Sequence, residues 1–265
     1  MREATLPHGL LRGGELRRDA VLRAPTGADE ALLEESFSGA SAAARASALL
    51  ASCVAQLGGE PAGLADVREL VVGDREALLL QLRAAAFGER VPCVLECPAC
   101  GERMDLELAV ADLLVGAYAD AAAEHTLGPL RFRLPTGADL EAAAEAADAE
   151  AGATLLLERC VLAGALTGAA REALEDELER LDPQAELRIA AACPSCGEPV
   201  DALVDAGALL LDELAGGADR LFREVHALAR HYHWSEREIL GLELRRRRRY
   251  LDLLVDDEGA EEATL

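Results

Sequence analysis

The chain contains one short metal-binding sequence twice, as CPACGE at residues 97–102 and as CPSCGE at residues 193–198. Two cysteines separated by two residues can bind the same zinc ion, with Zn–S distances of about 2.3 Å. The proline stiffens the turn between them, and the glycine permits the positive φ at which the chain reverses. Strand-like residues flank each sequence, as in RVPCVLE and RMDLEL around the first. Each hexapeptide therefore predicts a β-hairpin with a zinc knuckle at its tip.

One knuckle supplies two ligands, whereas a closed structural zinc site needs four. Cys93 lies near the first knuckle, but it alternates with Val91 and Leu95 on one face of a strand, and no histidine closely follows either knuckle. The sequence therefore predicts a single structural Zn²⁺ per chain that both knuckles share. Its predicted ligands are Cys97, Cys100, Cys193 and Cys196.

A C-x-x-C pair is also the motif of thiol–disulfide enzymes, and this alternative stays open. The redox motif needs a strand before it and a helix that begins at it, whereas here both flanks resemble hairpin arms. A catalytic zinc is disfavoured, because four thiolates leave no open coordination position.

Composition excludes several classes of protein. The 265 residues include 26 Lys+Arg and 49 Asp+Glu, for a net charge of −23, so the chain should repel nucleic acid. No apolar run reaches the length of a membrane span, and the first residues do not resemble an export signal, so we expect neither a membrane-spanning segment nor secretion. No phosphate-binding loop, nucleophile elbow or H-E-x-x-H motif occurs, and we expect no enzymatic activity.

Other segments also recur in the same order. The sequence PTGAD begins at Pro25 and again at Pro135, and apolar helical segments surround Cys53 and Cys160. Each PTGAD predicts a strand-to-helix transition with Thr as N-cap and Asp at the third helical position, although a plain turn is the simpler interpretation. The recurrence indicates an internal duplication, in which the two cysteines are buried core residues.

The predicted architecture is α+β, with two related halves clasped by the zinc and a C-terminal helical arm. The first half spans residues 1–126, the second 127–215 and the arm 216–255, followed by a disordered acidic tail at 256–265. In the arm, Ser235 and Glu238 form a capping box that predicts a helix running to about Leu254.

The arm carries five consecutive arginines: Arg245, Arg246, Arg247, Arg248 and Arg249. The run predicts a solvated helix face that contacts an acidic protein partner, because the guanidinium fork pairs with carboxylates bidentately. The alternative is that it only offsets the chain's own acidic tail.

Taken together, LVVGDREALLLQLRAAAFGERV, both knuckles, LRFRLPTGAD and LFREVHALARHYHWSEREILGLELRRRRRYLDLL resemble the T-even-type phage baseplate hub assembly chaperone family, from about Leu6 to Leu254. Larger members of that family accompany phage-tail-like contractile injection systems. The resemblance implies a non-enzymatic role in building a baseplate in the cytoplasm of the producing cell, with hub or wedge proteins as partners. A zinc-ribbon adaptor of another complex is the alternative.

Overall fold

The computed structural model describes residues 1–118, 122–214 and 218–262. The elements before residue 118 are β1 (Arg2–Arg12), β2 (Glu15–Leu22), α1 (Gly27–Ser36), α2 (Ala42–Cys53), β3 (Val54–Leu57), β4 (Glu60–Pro61), α3 (Leu64–Glu69), α4 (Val72–Phe87), β5 (Arg90–Glu96), β6 (Arg103–Ala109) and α5 (Val110–Leu113). The elements of 122–214 are β7 (His125–Leu127), β8 (Leu130–Phe132), α6 (Gly137–Ala144), α7 (Ala149–Cys160), β9 (Val161–Ala163), α8 (Gly168–Leu181), β10 (Leu187–Ala192), β11 (Pro199–Val204) and α9 (Ala206–Leu214). The last elements are α10 (Ala218–Tyr232), α11 (Glu236–Leu240) and α12 (Leu244–Glu262).

The fold is mixed α+β, as the sequence predicts. One antiparallel sheet has the order β1-β2-β3-β4, and a smaller one has the order β7-β8-β9. Two further antiparallel pairs, β5-β6 and β10-β11, are separate hairpins. The predicted division between residues 126 and 127 falls inside β7, which pairs with β8, so the strands of the second sheet begin before it.

One apolar core joins distant parts of the chain. It contains buried residues of α2 and α4 together with Leu210 and Leu214 of α9 and Leu244 of α12. Cys53 and Cys160 are the last residues of α2 and α7, both are 0% exposed, and burial raises the pKa of each thiol to about 12. Their predicted role as core residues is confirmed.

Each PTGAD segment joins a strand to a helix, as predicted, and we call residues 25–29 the first joint and 135–139 the second joint. In the first joint, the N–H of Thr26 donates to the Asp29 carboxylate at 2.7 Å, and Arg23 donates two further bonds to it at 2.7 Å each. Burial opposes ionisation, but these partners hold the pKa of Asp29 below its usual range. The second joint repeats the arrangement with Asp139 accepting from Arg133.

Each joint is docked on the start of a helix far away in sequence. In the second joint, Gly137 N–H donates to the Leu70 carbonyl at 3.0 Å, and Val72 N–H at the start of α4 donates to the Pro135 carbonyl at 3.0 Å. A Cβ atom on Gly137 would lie 2.5 Å from Nη1 of the buried Arg75. Glycine is therefore required for the close approach of this joint to α4.

The first joint docks in the same manner on the start of α12. Gly27 N–H donates to the Leu242 carbonyl at 3.3 Å, and Leu244 N–H donates to the Pro25 carbonyl at 3.2 Å. A Cβ atom on Gly27 would lie 2.6 Å from Nη1 of Arg247. The chain's C-terminal arm is thereby held against its N-terminal part.

This docking changes the predicted helix of the arm. The Ser235 capping box is confirmed, with the Glu238 carboxylate accepting from Ser235 N–H at 2.8 Å, but α11 ends at Leu240. The chain then runs extended at Glu243 to pair with the first joint before α12 begins. The prediction of a single helix from Ser235 to about Leu254 is therefore wrong, because backbone hydrogen bonds to the first joint replace the helical ones between α11 and α12.

The end of the chain also differs from the expectation. The sequence predicts a disordered tail from residue 256, whereas α12 continues to Glu262. Residues 263–265 of the predicted tail lie outside the described residues.

Candidate metal centre

The four predicted ligands come together from two hairpins, as the sequence predicts. Cys97 and Cys100 lie in the turn between β5 and β6, and Cys193 and Cys196 lie in the turn between β10 and β11. Their sulfur atoms all lie within 4.8 Å of one another. This is a cluster that could hold one metal ion between the two hairpins.

The two turns have the same backbone geometry. Gly101 and Gly197 adopt φ values of 75° and 77°, in the left-handed region that favours glycine. In each turn the first cysteine accepts a backbone bond from this glycine at 2.9 Å. The backbone N–H of the first cysteine also donates to the backbone carbonyl of the glutamate that ends the hexapeptide, at 2.8 Å for Glu102 and 2.9 Å for Glu198. These bonds fix both thiols of a turn on the same side of the hairpin.

The sulfur positions fit a tetrahedral ion. With metal–sulfur bonds of about 2.3 Å, the edges of a tetrahedron are about 3.8 Å long. The Cys97–Cys196 and Cys100–Cys193 sulfur pairs, which cross between the hairpins, are both 3.6 Å apart. That spacing is far longer than a disulfide bond of about 2.05 Å. The arrangement suits a bridging metal ion better than a disulfide.

A small shell isolates the cluster from the main core. Cys97 and Cys193 are buried together with Met104 and Val200, while Cys100 and Cys196 are exposed. Outside the cluster, the Ser195 hydroxyl donates to the Glu102 carboxylate of the other hairpin at 2.8 Å. The hairpins therefore contact each other through the cluster and its immediate surroundings.

The charges of the thiols are mutually dependent. Burial opposes ionisation of Cys193, but backbone N–H groups of Cys196 and Ser195 lower the pKa of its thiol to about 7. The backbone N–H of Glu102 favours a Cys100 thiolate, but the adjacent thiols of Cys196 and Cys193 outweigh it and raise the pKa of Cys100 to about 12. All four residues could therefore be thiolates together only with a cation to balance their charge.

Cys93 does not belong to the cluster. It lies within β5, four residues before Cys97, where its register partner is Leu106, and it is half-buried. The prediction that Cys93 is a strand residue is confirmed. Both C-x-x-C turns are followed by strands, whereas a thiol–disulfide motif opens a helix.

The arginine run is not one solvated face. Arg245, Arg246 and Arg249 are exposed, whereas Arg248 is half-buried with its guanidinium 5.0 Å from the Phe87 ring centre. Arg247 is 0% exposed, so for Arg247 the prediction of a solvated side chain is wrong. Of the five arginines, Arg245, Arg246 and Arg249 are therefore the ones whose side chains are exposed for contact with another protein.

Arg247 is buried because it pairs with two carboxylates. Its Nη2 lies 2.5 Å from Glu30 Oε1, and its Nε lies 2.7 Å from Glu224 Oε2. Arg220 donates to the second oxygen of Glu30 at 2.7 Å. Burial acts against the charge, but the carboxylates of Glu30 and Glu224 raise the pKa of Arg247. This buried network fixes α12 to α1 and α10.

Sequence reasoning missed the buried positions of Arg247 and Arg75. For Arg75 a signal was available, because REAL occurs at residues 75–78 and again at residues 171–174, with the same offset of 96 as the knuckles. The repeat marks an arginine at the start of a helix as a recurring feature.

The model of one family, described as T4 bacteriophage base plate protein, matches residues 19–163. This is more than half of the chain. The chain belongs to the T4 bacteriophage base plate protein family. The matched region contains both joints and the first hairpin, and it ends before the second hairpin and the arm. No curated protein and no solved structure matches the chain.

Family membership makes this chain a phage baseplate-related protein that acts through contacts with other baseplate proteins. In the described part of the chain, no helix is both long and apolar enough to cross a membrane.

Proposed function

We propose that this base plate family protein is a non-enzymatic assembly factor or component of a contractile, phage-tail-like baseplate, and that it acts in the cytoplasm of the producing cell on hub or wedge proteins. The family match over residues 19–163 is the observation that carries the proposal. The described residues add a pair of hairpins joined at a cluster of four cysteines and an exposed set of arginines, both of which suit a protein that organises other proteins.

We infer that the two halves of the chain arose by duplication. The matching joints, the cysteines that end α2 and α7, and the paired C-P-x-C-G turns support this inference. Under this hypothesis the metal lies where the two copies meet.

The proposed metal is one structural Zn²⁺ per chain. Four cysteines without a histidine or carboxylate form the ligand set typical of structural zinc, which prefers tetrahedral thiolate coordination. The chain's residues would hold the ion and fix the two hairpins together. With four protein ligands the ion has no open position for a substrate.

Elemental analysis of purified protein tests the zinc assignment, with one zinc per chain as the expected result. Replacing Cys97 or Cys193 with Ser should release the ion and lower the melting temperature by similar amounts, and the double variant should cost little more than either single variant. Cys93→Ser is the matched control, because this thiol lies outside the cluster. Two zinc ions per chain, or additive losses in the double variant, would contradict a shared site.

The exposed arginines of α12 are the proposed contact with an acidic surface of a baseplate partner. The guanidinium fork suits carboxylates, and exposed charges of this kind produce salt-sensitive contacts. Changing Arg245, Arg246 and Arg249 to Glu should preserve the fold and zinc content, because these side chains are exposed. The buried Arg247 is left unchanged, since it belongs to the fold.

Affinity purification from producing cells tests the function, with early lysate compared with finished particles. Wild-type protein should co-purify with baseplate proteins, and the triple Arg→Glu variant should lose them and reduce particle number. Normal particle numbers with the triple variant at wild-type abundance would exclude the arginine contact. Co-purification of wild type with no baseplate protein would contradict the proposed function itself. The control reverses three other exposed arginines, namely Arg17, Arg131 and Arg180.

A further inference from the structure

The helix pair α7 and α8 resembles the pair α2 and α4. Nη1 of Arg75 in α4 donates to the Ser47 hydroxyl of α2 at 2.9 Å, and Nη1 of Arg171 in α8 donates to the Thr154 hydroxyl of α7 at 2.9 Å. Both arginines begin the repeated sequence REAL. Four residues also recur with the same type and spacing, as Ala46, Leu49, Leu50 and Cys53 in α2 and as Ala153, Leu156, Leu157 and Cys160 in α7. Positions along α7 and α8 can therefore be matched to positions along α2 and α4.

In the first pair, α9 packs against both helices. Three leucines of α9 lie in the main core together with residues of α2 and α4. At the start of α9, the Ala206 N–H donates to the carboxylate of Glu76 in α4 at 3.2 Å. Near its end, Arg83 of α4 donates to both oxygens of the Glu213 carboxylate, at 2.9 and 2.7 Å. The groove between α2 and α4 is thus filled by a helix that α4 holds at both ends.

The groove between α7 and α8 is filled by no helix of the described chain. An open cleft of about 450 Å³ lies there, with α6 along one side. Ala153 is exposed and Leu156 is half-buried, whereas the matching residues of α2, Ala46 and Leu49, are 4% and 1% exposed. The apolar residues that the core covers in α2 are therefore left uncovered in α7.

The helices of this chain are already used elsewhere. α9 directly follows the second hairpin, and the helix that directly follows the first hairpin is α5. α5 has four residues, of which Val110 and Leu113 are buried in the main core. The basic helix α12 likewise buries its apolar residues, among them Leu244 and Leu254, within its own chain. A second copy therefore has no free apolar helix face to offer among these elements, and the occupant is a helix of a different protein.

The side of the cleft that α8 contributes is acidic. Glu179 lines it at the position that matches Arg83 of α4, and Glu175 and Asp176 line it one turn earlier. The lining includes no arginine or histidine, and Asp176 and Glu179 form no ion pair in the described part of the chain. Because Arg83 pairs with a glutamate of α9, Glu179 at the matching position suits an arginine or lysine of its occupant.

The pattern that a helix needs in such a groove is shown by α9. Its buried residues follow the spacing i, i+3, i+4 and i+7 along one face, as Gly207, Leu210, Leu211 and Leu214. Amphipathic helices with this spacing also bind in grooves of other proteins. Glu172 of α8 is exposed at the position that matches Glu76, so α8 retains the acceptor for the first N–H groups of a docked helix.

We propose that the cleft between α7 and α8 is a docking site for a basic amphipathic helix of another baseplate protein. The helix begins beside Glu172, inserts apolar side chains against Leu156 and Leu157, and places an arginine or lysine of its last turn beside Glu179. The proposal rests on the proposed function only for the class of protein that supplies the helix. No residue of the metal cluster or of α12 lines the cleft.

A photoreactive amino acid in place of the exposed Ala153 tests the site in cells that produce the complete baseplate. Ala151 is the control position, because it is also exposed on α7 but faces away from the cleft. The full-length protein should cross-link from residue 153 to a different protein, and mass spectrometry should place the cross-link in a segment with apolar residues at i, i+3, i+4 and i+7 followed by a basic one. A cross-link to a second copy, a cross-link to a segment without that pattern, or a yield no higher than from residue 151 would overturn the proposal.

Charge reversal tests the predicted ion pair in the same assay. Glu179→Arg should lower the yield of cross-linked product at least tenfold, because it places like charges together, and Glu179→Gln should lower it by less. Glu158→Arg is the matched control, since Glu158 is exposed on α7 and does not line the cleft. Replacing the partner's basic residue with Glu should restore the yield of the Glu179→Arg variant. Equal yields for Glu179→Arg and Glu158→Arg, or no restoration, would overturn the proposal.

Co-purified proteins are identified in the same samples. If baseplate proteins accompany the wild type but residue 153 cross-links to none of them, the docking site is wrong and the proposed function stands. If no baseplate protein accompanies the wild type, the proposed function is wrong as well.

Discussion

Replacement of Arg247 by Ala should release the arm from the body of the protein. The change leaves Glu30 paired with Arg220 at 2.7 Å and leaves Glu224 3.8 Å from Nε of Arg220. Loss of one partner from a buried ion pair costs about 3–5 kcal/mol. Because Arg220 still neutralises Glu30, and Glu224 is partly accessible to water, we expect the lower value, about 3 kcal/mol.

Hydrogen exchange measures this loss where it should occur. A loss of about 3 kcal/mol corresponds to roughly a hundredfold faster opening, since 1.4 kcal/mol is a factor of ten. Peptides from α11 and the first turns of α12 should exchange faster by that factor, while the metal hairpins stay protected. Arg245→Ala is the matched control, because this neighbouring side chain is exposed and surface changes stay within about 0.5 kcal/mol.

A double variant tests whether the network is the cause. If Arg247 stabilises the arm by pairing with Glu30, then Arg247→Ala should cost less when Glu30 is already Gln, because residue 30 then has no carboxylate that loses one of its two arginine partners. Similar exchange rates in Arg247→Ala and Arg245→Ala would refute the reasoning, as would full additivity with Glu30→Gln.

Three further predictions concern the joints, the arm and pH. Gly137→Ala should destabilise the protein by about 1–3 kcal/mol in denaturant melts, because the added methyl overlaps the buried Arg75 guanidinium. Gly168→Ala is the control and should leave the stability unchanged, because its methyl enters open space. Equal effects of the two changes would contradict the close approach of the second joint to α4. Ser235→Ala should weaken its capping box by about 1 kcal/mol and speed exchange in α11 only, and faster exchange throughout α12 would show that the two helices open together. Burial, with the nearby carboxylate of Asp205, raises the pKa of Glu76 to about 7, so wild-type stability should fall as pH rises from about 4.5 to 7. Burial also raises the pKa of Asp74 to about 6, so Glu76→Gln should reduce that slope, most of all above pH 6, and an unchanged slope would exclude Glu76 as a source.

Local sequence signals predicted the local structure well. The cysteine spacing identified all four residues of the metal cluster, and the flanking alternation identified both hairpins. The threonine caps of both joints and the Ser235 capping box were also predicted, because a capping residue acts within four positions of itself.

The long-range docking could not be predicted from these signals. The end of α11 at Leu240 and the burial of Arg247 depend on a joint that lies more than 200 residues earlier in the chain. An arginine within a run of five gives no local indication that its side chain lies between two glutamates. The sequence likewise cannot show which joint docks on which helix start, because both joints have the same five residues.

The identical sequence of the two joints has a consequence while the chain is being synthesised. The first joint leaves the ribosome early, and the start of α4 follows about 45 residues later, when neither the second joint nor α12 yet exists. For that interval the start of α4, which finally holds the second joint, is available to the first joint, whereas the start of α12 is not. We therefore expect a nascent chain to form a non-native pairing between the first joint and α4. Native pairing must then exchange that contact for one with a sequence separation of more than 200 residues, which makes the last step of folding dependent on the last segment to be translated.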